Sequence, residues 1–269
     1  MKRVFFLSFA VLILFLLVSC GTSNPFGEKN PIVYSMGQEG SYVFTTTDRE
    51  TVSAFVDLDK ISYNRLTGCF DPQTGVFYGA LEGKFKKGIV NTGLSFSKEL
   101  EKVKGDYITY YRQGDGGLCF YVPANGIVFF ANSDIERLYK SVFIDHSQSP
   151  DPALSTAILT ASTGVYVRSP KEILNIGLDL SSENAERFDY MLLLSDSRKY
   201  SVDFSLKTQG YSDSFFKLIK TAYTTSLKEK GEKIELAYLK DIIVQHGLKV
   251  TLSDQEYSPS VFAGVFNQI

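Results

Sequence analysis

Residues 43–59 read VFTTTDRETVSAFVDLD, and residues 165–181 read VYVRSPKEILNIGLDLS. The two stretches align without a gap at an offset of 122 residues. Each starts with the short apolar run of a strand. Near its end, each has an aspartate between two apolar residues. We therefore expect the same pair of elements, a strand and then a helix, to occur twice in the chain.

Hydroxyl residues mark where the two helices should begin. Thr47 stands three positions before Glu50, and Ser169 stands three positions before Glu172. This is the spacing of a capping box, in which the hydroxyl accepts from a free helix amide and the glutamate returns the bond. Pro170 would occupy the first helical position, where its missing N–H has no cost. The pattern predicts N-caps at Thr47 and Ser169.

The correspondence continues along the rest of both stretches. Each is followed by a hairpin, a helix, a second hairpin turn and a Ser-Asp-x-Glu motif, in the same order. The paired segments are 66–85 and 189–207, 88–103 and 212–229, the turns Asn125-Gly126 and His246-Gly247, and Ser133–Glu136 and Ser253–Glu256. Because order and spacing are kept throughout, we interpret the chain as a divergent internal duplication.

The order of elements predicts an α+β fold made of two tandem repeats. Each repeat reads as βαββαβ with an additional strand, which is the ferredoxin-like arrangement. In that arrangement, helices cover one face of an antiparallel sheet. We place the first repeat at 32–144 and the second at 156–269, joined by a polar, proline-containing linker at 145–155.

The first residues have the composition of a secretory signal. Lys2 and Arg3 precede an apolar run over 4–18, which is shorter than the roughly 20 residues of a spanning helix. The alternative, a short N-terminal membrane anchor, is disfavoured by this length. Residues 1–19 therefore read as a signal peptide, and 20–31 as a small, polar tether.

The end of this run, Leu17-Val18-Ser19-Cys20, resembles the lipobox of bacterial lipoproteins that are cleaved by signal peptidase II. The resemblance implies cleavage before Cys20, and diacylglycerol with a further acyl chain such as palmitate on that cysteine. Several acyl chains make membrane attachment stable where one does not. Gly21 takes the place at which an aspartate would indicate inner-membrane retention, so we favour the outer membrane of the cell envelope.

The charge balance argues against a nucleic-acid partner. Removal of Lys2 and Arg3 with the leader leaves 26 basic against 30 acidic residues, a net charge of −4. A protein that binds nucleic acid through phosphates needs a basic surface. We expect no nucleic acid among the partners, and an envelope protein in addition to the membrane.

Two cysteines remain besides Cys20. Cys69 and Cys119 lie in apolar, strand-like runs of a chain that is expected outside the cytosol, where disulfides form. A disulfide between them is one interpretation. The other is that both are buried free thiols, which behave as small apolar side chains.

No arrangement of residues predicts catalysis. His146 lies in the linker and His246 at a hairpin tip, and neither belongs to a triad or a metal-ligand spacing. Asp57-x-Asp59 keeps only one of its carboxylates in the second repeat, and the glycine-rich 114–117 lacks the Lys-Ser/Thr of a phosphate-binding loop. We expect no catalytic residue, no metal site and no cofactor.

Three functions remain for the anchored chain. The first is a non-catalytic binding or scaffold module in the envelope. The second is a carrier or sensor of a lipid or small apolar ligand in the groove between the repeats. The third is an envelope hydrolase with a carboxylate or serine site that the sequence does not reveal.

Overall fold

A computed structural model describes residues 40–49, 63–114, 117–143, 151–170, 182–196, 198–232 and 236–256. The predicted signal peptide, Cys20 and the predicted tether lie outside the described residues, as do most of the first predicted helix of each repeat and the C-terminal 257–269. The described chain folds into one sheet of twelve strands, in which all neighbouring strands are antiparallel.

The elements have the following bounds. The strands are β1 (Tyr42–Thr46), β2 (Tyr63–Asp71), β3 (Val76–Gly83), β4 (Leu100–Lys104), β5 (Thr109–Gln113), β6 (Cys119–Ala124), β7 (Ile127–Ala131), β8 (Thr163–Arg168), β9 (Phe188–Ser195), β10 (Lys199–Leu206), β11 (Ile243–His246) and β12 (Lys249–Glu256). The helices are α1 (Lys87–Phe96), α2 (Ile135–Phe143), α3 (Pro152–Thr160), α4 (Gln209–Glu229) and α5 (Leu236–Ile242), with a 3-10 helix at Ser182–Arg187.

The sheet has the order β11-β12-β10-β9-β8-β1-β2-β3-β7-β6-β5-β4. We call β1–β7 the first half and β8–β12 the second half. In each half the first three strands lie side by side, the last strand pairs with the third, and the strand before it lies outside the last. The first half carries the β4–β5 hairpin in addition. The halves meet where β1 pairs with β8, so they share one continuous sheet.

The α+β class is confirmed, whereas the ferredoxin-like arrangement is not. In a split βαβ unit, the first two strands are parallel and another strand lies between them. Here β1 and β2 are adjacent and antiparallel, with Thr46 opposite Leu66. Antiparallel neighbours need no crossover connection of the kind that parallel strands require.

The prediction that helices cover one face of the sheet was wrong, because they cover both. Side chains alternate along a strand, and Val43 and Phe44 accordingly belong to apolar clusters on opposite faces. Helices α1, α4 and α5 pack on the Phe44 face, which we call face 1. Helices α2 and α3 pack on the Val43 face, which we call face 2. The central strands are therefore buried on both sides, and all five residues of β1 are buried.

The gap-free alignment of the two halves is out of step by one residue in the first strand. An offset of 122 equates Val43 with Val165, but Val43 lies on face 2 and Val165 on face 1. A shift of one residue moves a side chain to the other face of a sheet. Equivalent strand positions in the two halves therefore differ by an odd offset here, although the sequence letters match best at an even one.

Buried threonines of the two halves contact each other at the junction between β1 and β8. The hydroxyls of Thr46 and Thr163 are 2.8 Å apart, and both residues are almost fully buried. The Thr47 amide and hydroxyl both donate to the Ser162 carbonyl, at 2.7 and 3.2 Å. Thr47 thus donates its hydroxyl to the other half. Glu50, its partner in the predicted capping box, lies outside the described residues.

Ser169 differs from its predicted role as an N-cap. It has a φ of +44°, in the left-handed region, whereas an N-cap residue has extended backbone. Its amide donates to the Asp189 carbonyl at 2.6 Å. Glu172, the other half of the predicted capping box, lies outside the described residues.

Part of the predicted linker is helical. Helix α3 begins at Pro152, and the Asp151 carboxylate accepts from the Ala153 amide at 2.8 Å as its cap. Ile158 of this helix packs at the junction, where a Cβ on Gly164 would lie 2.7 Å from Ile158 Cγ1. The linker interpretation of 145–155 missed that an Asp-Pro pair is also a helix start.

A disulfide across the junction tests the continuous sheet. Thr46→Cys with Thr163→Cys places two thiols directly opposite each other on β1 and β8. The neighbouring pair, Thr47 and Ser162, is hydrogen-bonded. Positions 46 and 163 therefore form a non-hydrogen-bonded pair, the kind whose Cα atoms lie closest together. We expect oxidation to close this bond within one chain, seen as faster migration on a non-reducing gel. Thr45→Cys with Thr163→Cys is the matched control and should not close, because the two side chains point to opposite faces. Free thiols in the first variant would contradict the β1–β8 pairing.

The β4–β5 hairpin is held by one side chain of α2. The sequence predicted a helix over 88–103, but α1 ends at Phe96 and 100–104 forms the edge strand β4. The Glu136 carboxylate accepts from three backbone amides of the β4–β5 turn: Tyr107 at 2.6 Å, Ile108 at 3.0 Å and Asp106 at 3.2 Å. These bonds lower the pKa of Glu136 below its ordinary value of 4.5.

This tie should depend on pH. Because the pKa of Glu136 is lower in the folded chain than in the unfolded one, its contribution is complete above the unfolded value and is lost as pH falls through the folded one. We expect the protection of the 106–108 amides, which is the intrinsic exchange rate divided by the observed rate at the same pH, to fall on acidification below pH ~4. Glu136→Gln should lower this protection at neutral pH and abolish its acid dependence. Glu101→Gln, whose partner Arg112 is exposed, is the control; equal exchange in both variants would contradict the tie.

Candidate functional site

The residues that the sequence singled out do not meet in one place. His146, Asp57 and Asp59 lie outside the described residues, and His246 is exposed at the end of β11. The glycine-rich segment 114–117 connects β5 to β6. In the parts of the chain that the structure describes, no group of three or more His, Cys, Asp or Glu side chains is placed to hold a metal ion.

Of the two interpretations of Cys69 and Cys119, the structure shows buried free thiols and not a disulfide. Cys69 and Cys119 are buried free thiols on face 2. Cys69 lies opposite Tyr78, Tyr78 opposite Ala131, and Ala131 opposite Cys119, so three strand spacings separate the two cysteines. This distance is roughly 14 Å, twice the limit of about 7 Å between the Cα atoms of a disulfide.

The two halves share a continuous sheet at their described junction. Apolar clusters on both faces include residues from both halves, such as Phe44 with Val165 on face 1 and Val43 with Tyr166 on face 2. The described segments also include no helix of the length and apolar character needed to cross a bilayer.

A cluster of ionic and aromatic side chains lies where β10 begins and β12 bulges. Two residues of β12, Ser253 and Asp254, stand opposite the single residue Ser201 of β10. Such a bulge bends the strand and redirects its side chains. Asp254 has a φ of +60°, one of two non-glycine residues in the left-handed region among those described. Residues in this region are uncommon, and they concentrate at functional sites.

Two side chains bind the Asp254 carboxylate. The Lys199 ammonium forms an ion pair with one oxygen, and the Tyr238 hydroxyl donates to the other at 3.1 Å. We call Lys199, Tyr238 and Asp254 the Asp254 cluster. All three are accessible, since the side chains of Lys199 and Asp254 are 55% and 37% exposed and Tyr238 is 41% exposed.

The electrostatics keep these groups in their ordinary charge states. Hydrogen bonds from Lys199 and Tyr238 lower the pKa of Asp254, so this carboxylate is ionised at neutral pH. Burial of its hydroxyl, together with the bond to Asp254, raises the pKa of Tyr238 to about 12. Tyr238 is therefore a neutral donor. Neither group titrates near neutral pH, as a general acid or base would.

Two more tyrosines lie beneath the cluster. Tyr223 of α4 is half-buried against the face 1 core, and its phenol influences the pKa of both Tyr238 and Tyr200. Tyr200 is buried, and burial raises its pKa to about 12. The cluster is thus backed by aromatic side chains of the core, which fix the position of the strands that carry it.

The first half uses the equivalent position differently. Asn132 follows the start of β7 by five residues, as Asp254 follows the start of β12. The Asn132 amide group accepts from the Phe77 amide at 2.7 Å and donates to the Gly75 carbonyl at 2.8 Å. Asn132 therefore ties the end of its strand to the backbone of a hairpin, whereas Asp254 binds side chains that are exposed to solvent.

Only part of this cluster had a signal in the sequence. Asp254 was noted within Ser253–Glu256 as the repeat of Ser133–Glu136. The structure separates the two motifs, because the Asp134 carboxylate caps α2 by accepting from Glu136 and Arg137 amides while Asp254 stays in a strand. Nothing in the sequence marks Lys199 or Tyr238.

Comparison with known proteins identifies the fold alone. No family model matches the chain, and no curated protein matches it. Solved structures of TP0453 are similar: crystal form I has a TM-score of 0.59 at 13% identity, covering 88% of this chain and 96% of that one. Crystal form IV has a TM-score of 0.56 at 15% identity, covering 91% and 99%. The chain therefore shares the overall fold of TP0453.

Proposed function

We propose that this chain is a lipoprotein of the bacterial envelope, anchored through Cys20, that works as a non-catalytic binding module. Its binding surface is the Asp254 cluster at the end of the second half. The lipobox at 17–20 and the tether at 20–31 support the anchoring. We favour the outer membrane because Gly21 follows the lipidated cysteine.

The observation that carries the proposal is the Asp254 cluster itself. A left-handed aspartate in a strand bulge costs backbone energy, of order 1–3 kcal/mol for such outliers. The equivalent position of the first half shows that the fold can close the same strand end with a neutral asparagine and two backbone bonds. The second half instead holds an exposed ion pair and a tyrosine, which suits recognition of another molecule.

Binding is favoured over catalysis by the charge states in the cluster. Asp254 has a lowered pKa and Tyr238 a raised one, so each moves away from neutrality. A catalytic pair requires a group whose pKa approaches the working pH. The cluster offers fixed donors and acceptors, which are sufficient for recognition.

Purification from the native membrane tests the binding module. The tagged, lipidated protein is purified in mild detergent, and its co-purifying proteins and small molecules are identified by mass spectrometry. We expect a component that the wild type retains and Asp254→Asn loses. Asparagine also adopts left-handed backbone, so this variant removes the charge and preserves the bulge.

The matched control is Asp203→Asn. Asp203 also forms an ion pair between β10 and β12, with Lys249 at 3.0 Å, but it lies outside the cluster. Retention of the component by this control is the expected result. If the wild type, Asp254→Asn and Asp203→Asn retain the same components, or if none retains any, the proposal is wrong.

A further inference from the structure

We infer that the Asp254 cluster binds a saccharide, recognising adjacent hydroxyl groups of a sugar ring. This inference rests on the proposed binding function and assigns its ligand class. The starting point is the hydrogen-bonding capacity that the cluster leaves open. An ammonium group has three donors, and Lys199 gives one of them to Asp254. A carboxylate has about four acceptor sites, of which the described protein groups occupy one on each oxygen.

The open donors and acceptors lie side by side. With respect to the described residues, Lys199 keeps donors next to a carboxylate that keeps one acceptor position on each oxygen, and both side chains are accessible. Tyr238 donates its proton to Asp254, so its oxygen keeps the capacity to accept a hydrogen bond. A hydroxyl group both donates and accepts. Two hydroxyls on neighbouring ring carbons therefore match the cluster, one accepting from Lys199 and the other donating to Asp254.

The charge of the cluster selects a neutral ligand. Lys199 and Asp254 form an ion pair, so their charges balance. An anion such as phosphate would meet the Asp254 carboxylate, and a metal cation would meet the Lys199 ammonium. A neutral polyol meets neither repulsion, and it replaces the water that the two charged groups would otherwise hold.

The aromatic ring supplies the apolar part of the site. Tyr238 is 41% exposed, and its hydroxyl binds the carboxylate of the ion pair. A tyrosine ring offers an apolar face beside a polar hydroxyl, and a sugar ring likewise presents C–H groups on one face and hydroxyls at its edge. The ring and the ion pair together give the two kinds of contact that a saccharide needs.

Titration with defined oligosaccharides tests this inference. The probes are maltohexaose, cellohexaose and chitohexaose, added up to ~10 mM to the full lipidated chain in a detergent without a sugar headgroup. Binding is followed by saturation-transfer NMR and calorimetry. We expect at least one probe to bind, with affinity about tenfold lower in Asp254→Asn and in Tyr238→Ala, and unchanged in Asp203→Asn. Retained circular dichroism shows that each variant is folded.

Two results would overturn the saccharide assignment: none of the three probes binds, or binding survives in both Asp254→Asn and Tyr238→Ala. The membrane purification separates this failure from that of the proposed function. If no probe binds but a protein is lost specifically from Asp254→Asn, the site is a protein-binding surface and the binding module stands. If the purification also shows no difference, both are wrong.

Discussion

Replacement of Cys20 by alanine is expected to abolish lipid attachment. The proposed lipobox Leu17-Val18-Ser19-Cys20 contains a single thiol for acylation, so an alanine leaves nothing to modify. The product should be an uncleaved precursor that retains residues 1–19 and incorporates no labelled fatty acid. Mass spectrometry of the whole protein and metabolic labelling with a palmitate analogue measure both outcomes.

Cys69→Ala is the matched control for this change. Cys69 is a buried free thiol of β2 and lies within the fold. The control should be cleaved and lipidated like the wild type. A Cys20→Ala protein that is still cleaved before position 20, or that still takes up the label, would contradict the lipoprotein assignment.

Replacement of Phe204 by alanine should lower the free energy of unfolding by about 3–5 kcal/mol. Phe204 is fully buried on face 1. Its ring centroid lies 4.9 Å from that of Phe215 on α4 and 5.9 Å from that of Phe188 on β9. Removal of the ring leaves a cavity between the sheet and the helix, and the lost contacts cannot be replaced by small shifts. Chemical denaturation monitored by circular dichroism measures the change.

Phe96→Ala is the control for the loss of a phenylalanine. Phe96 ends α1 and is 76% exposed. An exposed substitution of this kind usually changes stability by within about 0.5 kcal/mol. Equal effects of the two substitutions would mean that α4 does not pack on face 1 as described.

The local elements were largely predictable from the sequence. The hairpins over 66–85 and 189–207, the Asn125-Gly126 turn and the helix over 212–229, which is α4, were found where short-range signals placed them. These signals, turn residues and 3.6-residue periodicity, act over a few positions and are legible in one sequence. Strand β4 was missed because the alternation in its LEKVK is too short to distinguish from a helix end.

The arrangement of the strands was not predictable in the same way. The sequence indicates that a strand follows β1, but the direction in which the connection returns decides between parallel and antiparallel neighbours. The face that Val43 occupies depends on its register against Tyr166, which is a contact between halves. Pairing of residues more than a hundred positions apart has no local signal.

The candidate site shows the same limit more strongly. Lys199, Tyr238 and Asp254 come from β10, α5 and β12, and only the fold brings them together. The Ser-Asp-x-Glu motif suggested that Asp254 repeats Asp134. The structure shows instead that Asp134 caps α2, whereas Asp254 lies in strand β12. A bulge of one residue gives Asp254 its position, and the sequence gives no sign of that bulge.

The most direct test of the central claim is photo-crosslinking at Tyr238 in the living envelope. Tyr238→p-benzoylphenylalanine should give a discrete crosslinked product in the lipidated chain, and the added change Asp254→Asn should remove it. Tyr107→p-benzoylphenylalanine, at a tyrosine of the first half that is 57% exposed, should give no such product. A crosslink at 238 that depends on Asp254 is the result the account predicts. Equal products at 238 and 107, or none at 238, would contradict binding at the Asp254 cluster.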